Sequence, residues 1–263
     1  MAVELETLEY DVGGVKTVVK AVGKGRPVLF LHGAATLEGF YSIAGLADRF
    51  RIYAPSHPGM GFSGDAAHVA DMTDMLVHYL NLLDAMDLDE KPDLIGFSMG
   101  GWMATELAAI ARDRFRKVVL IAPAGLNDPA HPATNLGAIA PQDLPGYLTH
   151  DVGVALGYFP DGSDAAFAQA FGADRAREGD MVGRLCSQFG GMGHPNLRRF
   201  LARITNPTLV VWGEEDRLLP AAQARLWVDA LPNAQLLSIS GAGHLVAQEK
   251  PETMTRIGDF LAA

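Results

Sequence analysis

Cysteine is almost missing from this chain: Cys186 stands alone among 263 residues. An intramolecular disulfide is excluded, and a lone cysteine in an apolar setting reads as a small buried hydrophobe rather than a reactive thiol. Positive charge is short as well. Lys and Arg number 21 against 31 Asp and Glu, a formal net charge of −10 with no basic patch to offset it, so nucleic acid is not an expected partner. No uninterrupted apolar run is long enough to cross a bilayer, and Met1–Glu6 lacks the positive start and apolar run of a signal peptide. A cytoplasmic location without membrane attachment is therefore expected. His, Cys and Asp nowhere fall at metal-ligand spacing, so no metal or other cofactor is expected. Internal repeats and low-complexity tracts are missing too.

What is there is a large supply of apolar residues, 49% of the chain, arranged as short buried runs alternating with helical patterns. Glu4–Tyr10 and Val15–Val22, on either side of Gly13-Gly14, predict an antiparallel hairpin at a sheet edge. Continuous apolar runs at Pro27–Leu31 and Lys117–Ile121 predict strands covered on both faces, and Phe50–Ala54, Asp93–Phe97, Pro207–Trp212 and Gln235–Ile239 read as further strands. Helices are expected at about 39–49, at Val69–Met86, after Ser98, from Pro220 to Ala230 and from Pro251 to Leu261. This alternation implies an α/β fold, a mostly parallel central sheet with helices on both faces.

The pattern lapses from Pro123 to Arg203. That stretch holds no strand of the buried parallel type, is rich in Gly, Pro and aromatics, and carries helical patches near Asp164–Phe171, Ala176–Phe189 and Asn196–Ala202. A segment this long reads as an inserted helical cap, 123–203, on a core made of 1–122 and 204–263.

The chemistry gathers where strands end. Gly96-Phe97-Ser98-Met99-Gly100 follows a strand and opens a helix, the setting in which a serine projects from a sharp turn. A serine hydroxyl needs a base, and a base needs an orienting carboxylate. His244 follows the last strand and Asp216 the one before it; Glu214, Glu215 and Asp128 are rival acids. The backbone N–H groups of Met99 and Ala34 are the candidate oxyanion donors. His32, Phe97 and Leu245 are candidate substrate contacts, His32 chiefly as an organiser of its loop. The histidines at 68, 78, 131, 150 and 194 read as solvated or structural.

Leu31-His32-Gly33, Pro58-Gly59-Met60-Gly61-Phe62-Ser63, Gly96-Phe97-Ser98-Met99-Gly100-Gly101, Trp212-Gly213-Glu214-Glu215-Asp216 and Gly243-His244 together resemble the α/β-hydrolase family over nearly the whole chain. The resemblance implies a cap inserted after the sixth strand and a Ser98–His244–Asp216 triad, with Met99 and Ala34 as oxyanion donors. Family members with an aspartate nucleophile, the dehalogenases and soluble epoxide hydrolases, are disfavoured by Ser98. Carbon–carbon bond hydrolases of aromatic catabolism carry Asn before the nucleophile and Trp after the histidine, where this chain has Phe97 and Leu245. Arg184 is a candidate for binding a substrate carboxylate as those enzymes do. A carboxylesterase-like enzyme acting on carboxylic esters of small to medium, largely apolar substrates is the expectation. Lactone opening, perhydrolysis, carbon–carbon cleavage and a ligand-binding receptor on the same fold are the alternatives.

Overall fold

The computed structural model describes residues 5–36 and 42–263. Strands β1 (Glu6–Val12) and β2 (Val15–Val22) pair antiparallel, as their alternation requires. The Asp11 carboxylate accepts from Gly14 N at 2.8 Å, and Gly13 and Gly14 both take positive φ, which closes a two-residue turn. β2 then pairs antiparallel with β4 (Phe50–Pro55). From there the sheet is parallel through β3 (Arg26–Leu31), β5 (Asp93–Phe97), β6 (Val118–Ile121), β9 (Thr208–Gly213) and β10 (Ala234–Ile239), in the order β1-β2-β4-β3-β5-β6-β9-β10.

Two apolar layers sandwich this sheet. One packs helices α1 (Met72–Met86), α2 (Met99–Ile110) and α7 (Ala222–Ala230) on one face; the other packs α9 (Glu252–Ala262) and a turn at Ile43–Leu46 on the opposite face. Strand β5 lies between β3 and β6, with Leu31 level with Gly96 and Phe97 level with Ile121. Its last residue therefore reaches the centre of the carboxyl rim, where ligands sit in sheets of this kind.

Between β6 and β9 the chain leaves the sheet. A two-residue parallel bridge, β7 (Gly125–Leu126) with β8 (Gly193–His194), ties the two ends of this excursion together. It is too short to leave a pattern in the sequence. Inside it run α3 (Pro145–Leu148), α4 (Val152–Leu156), α5 (Ala165–Ser187) and α6 (Leu197–Leu201). The sequence suggests two helical patches at 164–171 and 176–189; the structure has a single helix of 23 residues. Asp164 caps its start by accepting from Ala166 and Phe167 N, and Gly172 falls within the helix without breaking it. The expected helix at 39–49 is also revised. Only a 3₁₀ turn at Ile43–Leu46 is present in its described part, and 39–41 lie outside the described residues. None of the described helices is long and apolar enough to cross a membrane.

Candidate active site

The site is built on a crowded turn. Ser98 sits between β5 and α2 with φ 53° and ψ −118°, a region that non-glycine residues rarely occupy. Its neighbours show why the strain is held. A Cβ on Gly96 would lie 2.3 Å from Gly100 O, and one on Gly100 would lie 2.2 Å from Leu31 O. Strand and helix thus touch backbone to backbone, which only glycine permits. Ser98 O accepts from Gly101, Trp102 and Ala124 N, while Ser98 N donates to Ile121 O at 3.0 Å. The hydroxyl is left at the rim, and α2 begins immediately behind it. The Met99 N–H, first in the helix, has no intrahelical acceptor by the geometry of any helix start.

Two loops from the far side of the sheet meet this serine. His244 Nε2 lies 3.0 Å from Ser98 Oγ, and His244 Nδ1 lies 2.8 Å from Asp216 Oδ2. Asp216 Oδ1 accepts from Leu218 and Leu219 N at 2.9 and 2.8 Å. A carboxylate so placed can only accept, so Nδ1 carries the imidazole proton and the Nε2 lone pair faces the hydroxyl. All three side chains are buried. The rival acids are occupied elsewhere: Glu214 with Ser238 Oγ, Glu215 with Ala242 N, and Asp128 with His131 and Arg198.

Ser98 and His244 open into a cavity of about 550 Å³ that Ala34, Phe97, Leu245 and His32 also line. Ala34 thus lies on the same space as Ser98, and the Phe97 ring packs 5.0 Å from the His244 ring. Most of the wall is apolar, including Leu136, Leu144, Leu148, Leu218 and Leu219. Besides Ser98, His244 and His32, its polar lining includes Thr134, Gln248 and a charged corner made by Thr36, Arg175 and Glu178. Sequence reasoning misses this corner, because 142 positions separate Thr36 from Glu178 and neither belongs to a motif.

His32 organises its loop through a second residue that the sequence did not single out, His57. The backbone N–H of His57 donates to His32 Nε2 at 3.1 Å, which leaves the proton on His32 Nδ1, donating to Gly33 O at 2.8 Å. His57 Nε2 donates to His32 O at 2.9 Å, and the Tyr79 hydroxyl donates to His57 Nδ1. The two rings stack at 3.6 Å. Burial holds both imidazoles neutral, His57 at about 4 and His32 well below its ordinary value with His57 adding to the effect. A pair of histidines in two breaker loops after adjacent strands was the available signal.

Arg184 does not face the cavity. Its guanidinium donates to Ala66 O and Val69 O at 3.1 Å each and pairs with Asp180, so it fastens α5 to the loop before α1 and is not the expected carboxylate receptor. Cys186 is buried with its thiol pushed up to about 11 by desolvation, and Sγ lies 3.2 Å from Met192 Sδ. Among the described residues, no group of three or more His, Cys, Asp or Glu side chains is placed to hold a metal ion.

Known proteins resemble this chain along most of its length. A poly(3-hydroxyalkanoate) depolymerase of Ectopseudomonas oleovorans is 30% identical over 261 residues, covering 95% of this chain and 89% of that protein. A 2-hydroxymuconate semialdehyde hydrolase of Pseudomonas sp. (strain CF600) is 26% identical over 282 residues, covering 97% and 93%. A dihydrolipoyllysine-residue acetyltransferase component of an acetoin cleaving system from Pseudomonas putida is 29% identical over 249 residues. That match takes in 88% of this chain and only 62% of the longer relative. Residues 28–257 match the family model described as the alpha/beta hydrolase family. The chain belongs to the alpha/beta hydrolase family.

Proposed function

We propose that the protein is a serine hydrolase that cleaves carboxylic esters of small to medium, largely apolar substrates through an acyl-enzyme on Ser98. The observation that carries this reading is the unbroken series Ser98 Oγ, His244, Asp216 opening onto an apolar cavity. In the first half-reaction Ser98 Oγ attacks the ester carbonyl as His244 Nε2 takes its proton, and Asp216 stabilises the imidazolium. The N–H groups of Met99 and Ala34 receive the oxyanion, with the positive end of α2 behind Met99. The tetrahedral intermediate collapses as His244 returns the proton to the departing alcohol. Water then attacks the acyl-enzyme by the same route and frees the acid. The segment 123–203 serves as a cap that shapes the acyl and alcohol pockets and keeps bulk water away. His32, Phe97 and Leu245 form part of the substrate wall.

Ester cleavage is supported by the 30% identity to the poly(3-hydroxyalkanoate) depolymerase. A carbon–carbon bond hydrolase is the second reading, favoured by the likeness to the 2-hydroxymuconate semialdehyde hydrolase. Apolar Phe97 and Leu245 at the two positions flanking nucleophile and base weigh against it, as does the placement of Arg184 outside the cavity.

A panel of p-nitrophenyl esters, lactones and vinylogous diketones assayed with wild type and Ser98→Ala tests the proposal. Wild type is expected to turn over short and medium esters many times. Ser98→Ala is expected to lose about a million-fold in kcat, down to background. Diketone cleavage without ester cleavage would transfer the assignment to the second reading. A single acylation without turnover would mark a receptor.

A further inference from the structure

We infer that Glu178, on cap helix α5, is a positioning residue for the oxyanion loop: its carboxylate holds Thr36, two residues beyond Ala34, and so couples the seating of the helix to transition-state stabilisation. The inference rests on the assignment of Ala34 N–H as an oxyanion donor.

Glu178 is 1% exposed. Its Oε1 accepts from Thr36 Oγ1 at 2.5 Å, and its Oε2 accepts from Thr36 N at 3.4 Å and from Arg175 Nη2 at 2.6 Å. Burial pushes its pKa up, while Thr36 and Arg175 oppose that rise. Carrying a carboxylate into this position costs desolvation that a buried apolar residue would avoid, as Met181 and Leu185 do on the same helix. The charge is not needed to hold the helix down. Arg177 already binds Asp65, Gly61 O and Ser63 O, and Arg184 binds Ala66 O and Val69 O. What Glu178 adds, with Arg175 Nη2 donating to Thr36 Oγ1 at 3.4 Å beside it, is a grip on the loop after β3, which Arg177 and Arg184 do not touch.

That loop is gripped from its other end too. His57 Nε2 donates to His32 O on the core side. Ala34 therefore lies midway between a hydrogen bond to His32 from the sheet and a carboxylate clamp on Thr36 from the cap. An oxyanion donor acts only when its N–H points within hydrogen-bond reach of where the charge develops, so losing one clamp misaims the donor without removing it.

The experiment measures kcat, KM and inhibition by a trifluoromethyl ketone, which forms a tetrahedral adduct, for wild type, Ser98→Ala, Glu178→Gln, Thr36→Val, Thr36→Ser and Arg177→Ala. Glu178→Gln and Thr36→Val are expected to lower kcat about tenfold or more while KM stays within about twofold, and to weaken the ketone by the same factor. Thr36→Ser keeps the hydroxyl and is expected to return kcat to within about twofold of wild type. Arg177→Ala loosens the same helix away from Thr36, so its melting temperature falls while kcat holds. The coupling is overturned if Glu178→Gln and Thr36→Val keep wild-type kcat, or if Arg177→Ala or Thr36→Ser loses as much as they do. A wild type that cleaves no ester, or an active Ser98→Ala, would instead overturn the ester reading itself.

Discussion

Around Ser98, backbone presses on backbone. A Cβ on Gly96, Gly100 or Gly213 would fall 2.2 to 2.3 Å from a carbonyl oxygen; the first two contacts join strand ends to helix α2 and the third joins a strand end to the turn before His244. Helix α5 forms the opposite wall of the same cavity, and there Gly179 and Gly183 have no atom within 4 Å of where a Cβ would stand. The core wall is a jammed lattice; the α5 wall, part of the proposed cap and hence the cap wall, is a helix bolted on by charged side chains with room left over. Under the proposed function, chemistry that fails on a displacement of an ångström would sit on the first, and the surface that must admit a substrate would be made from the second.

The largest test of the core wall concerns orientation alone. Asp216→Asn keeps the shape but offers His244 an amide, which stabilises the wrong tautomer and cannot balance an imidazolium. A fall of about 10⁴ in kcat is expected, with the circular dichroism spectrum unchanged. A variant within tenfold of wild type would mean that the hydrogen bond from His244 to Asp216 is not used in catalysis.

Next comes the lattice itself. Gly100→Ala forces a methyl group against Leu31 O and His32 O, backbone that cannot step aside. The expected loss is about 3 kcal/mol of stability, read as a lower urea midpoint. If the variant unfolds with the wild-type midpoint, the turn yields more readily than its contacts imply, and the contrast between the walls is wrong.

The helix behind Ser98 and helix α5 each bury one glutamate, and the two are treated differently. Glu178 meets three donors; among the described residues Glu106, on α2, meets Trp102 Nε1 alone, at 2.6 Å, and burial pushes its pKa up to about 7. The folded value lies above the ordinary 4.5, so the folded protein holds this proton where the unfolded chain has released it. Stability from Glu106 is thus full at low pH and is lost as pH rises from about 4.5 through 7. Glu106→Gln does not titrate. Between pH 5 and pH 8 its stability relative to wild type should improve by on the order of 2 kcal/mol, whatever constant cost the buried amide carries. A gap independent of pH would show that Glu106 titrates alike in the folded and unfolded chain, and that its burial does not shift it.

The contrast also explains what could be read in advance. The core wall announces itself because each of its parts is local: an apolar run, then Gly96-Phe97-Ser98, Gly213 to Asp216, or Gly243-His244, all at strand ends. Sheet topology then brings them to one rim. The cap wall has no such grammar. Glycines at 172, 179 and 183 and charges at 174, 175, 177 and 180 blur the helical period of α5, so one helix reads as two patches. Arg184 was open to reading as a ligand-facing charge, yet only the fold shows that it turns toward Ala66 O and Val69 O. Thr36 and Glu178, or His32 and His57, become partners only once distant loops are in place.

The smallest effect probes the open wall from both sides. Gly172 lies in the same helix, two turns before Gly179, is equally uncrowded, and does not line the cavity. Its backbone is ordinary helix, so a methyl group there restricts the unfolded chain and clashes with nothing. Gly172→Ala is expected to stabilise by about 0.5 to 1 kcal/mol, a rise of about 2 °C in melting temperature, with kinetics unchanged. Gly183→Ala should gain the same stability, but its methyl group enters the cavity, so kcat/KM should fall for the bulkiest esters before the smallest. The same glycine-to-alanine change that breaks the core wall would then strengthen the cap wall. If both cap substitutions destabilise, α5 is packed as tightly as the turn at Ser98, and the division of labour between the walls has no physical basis.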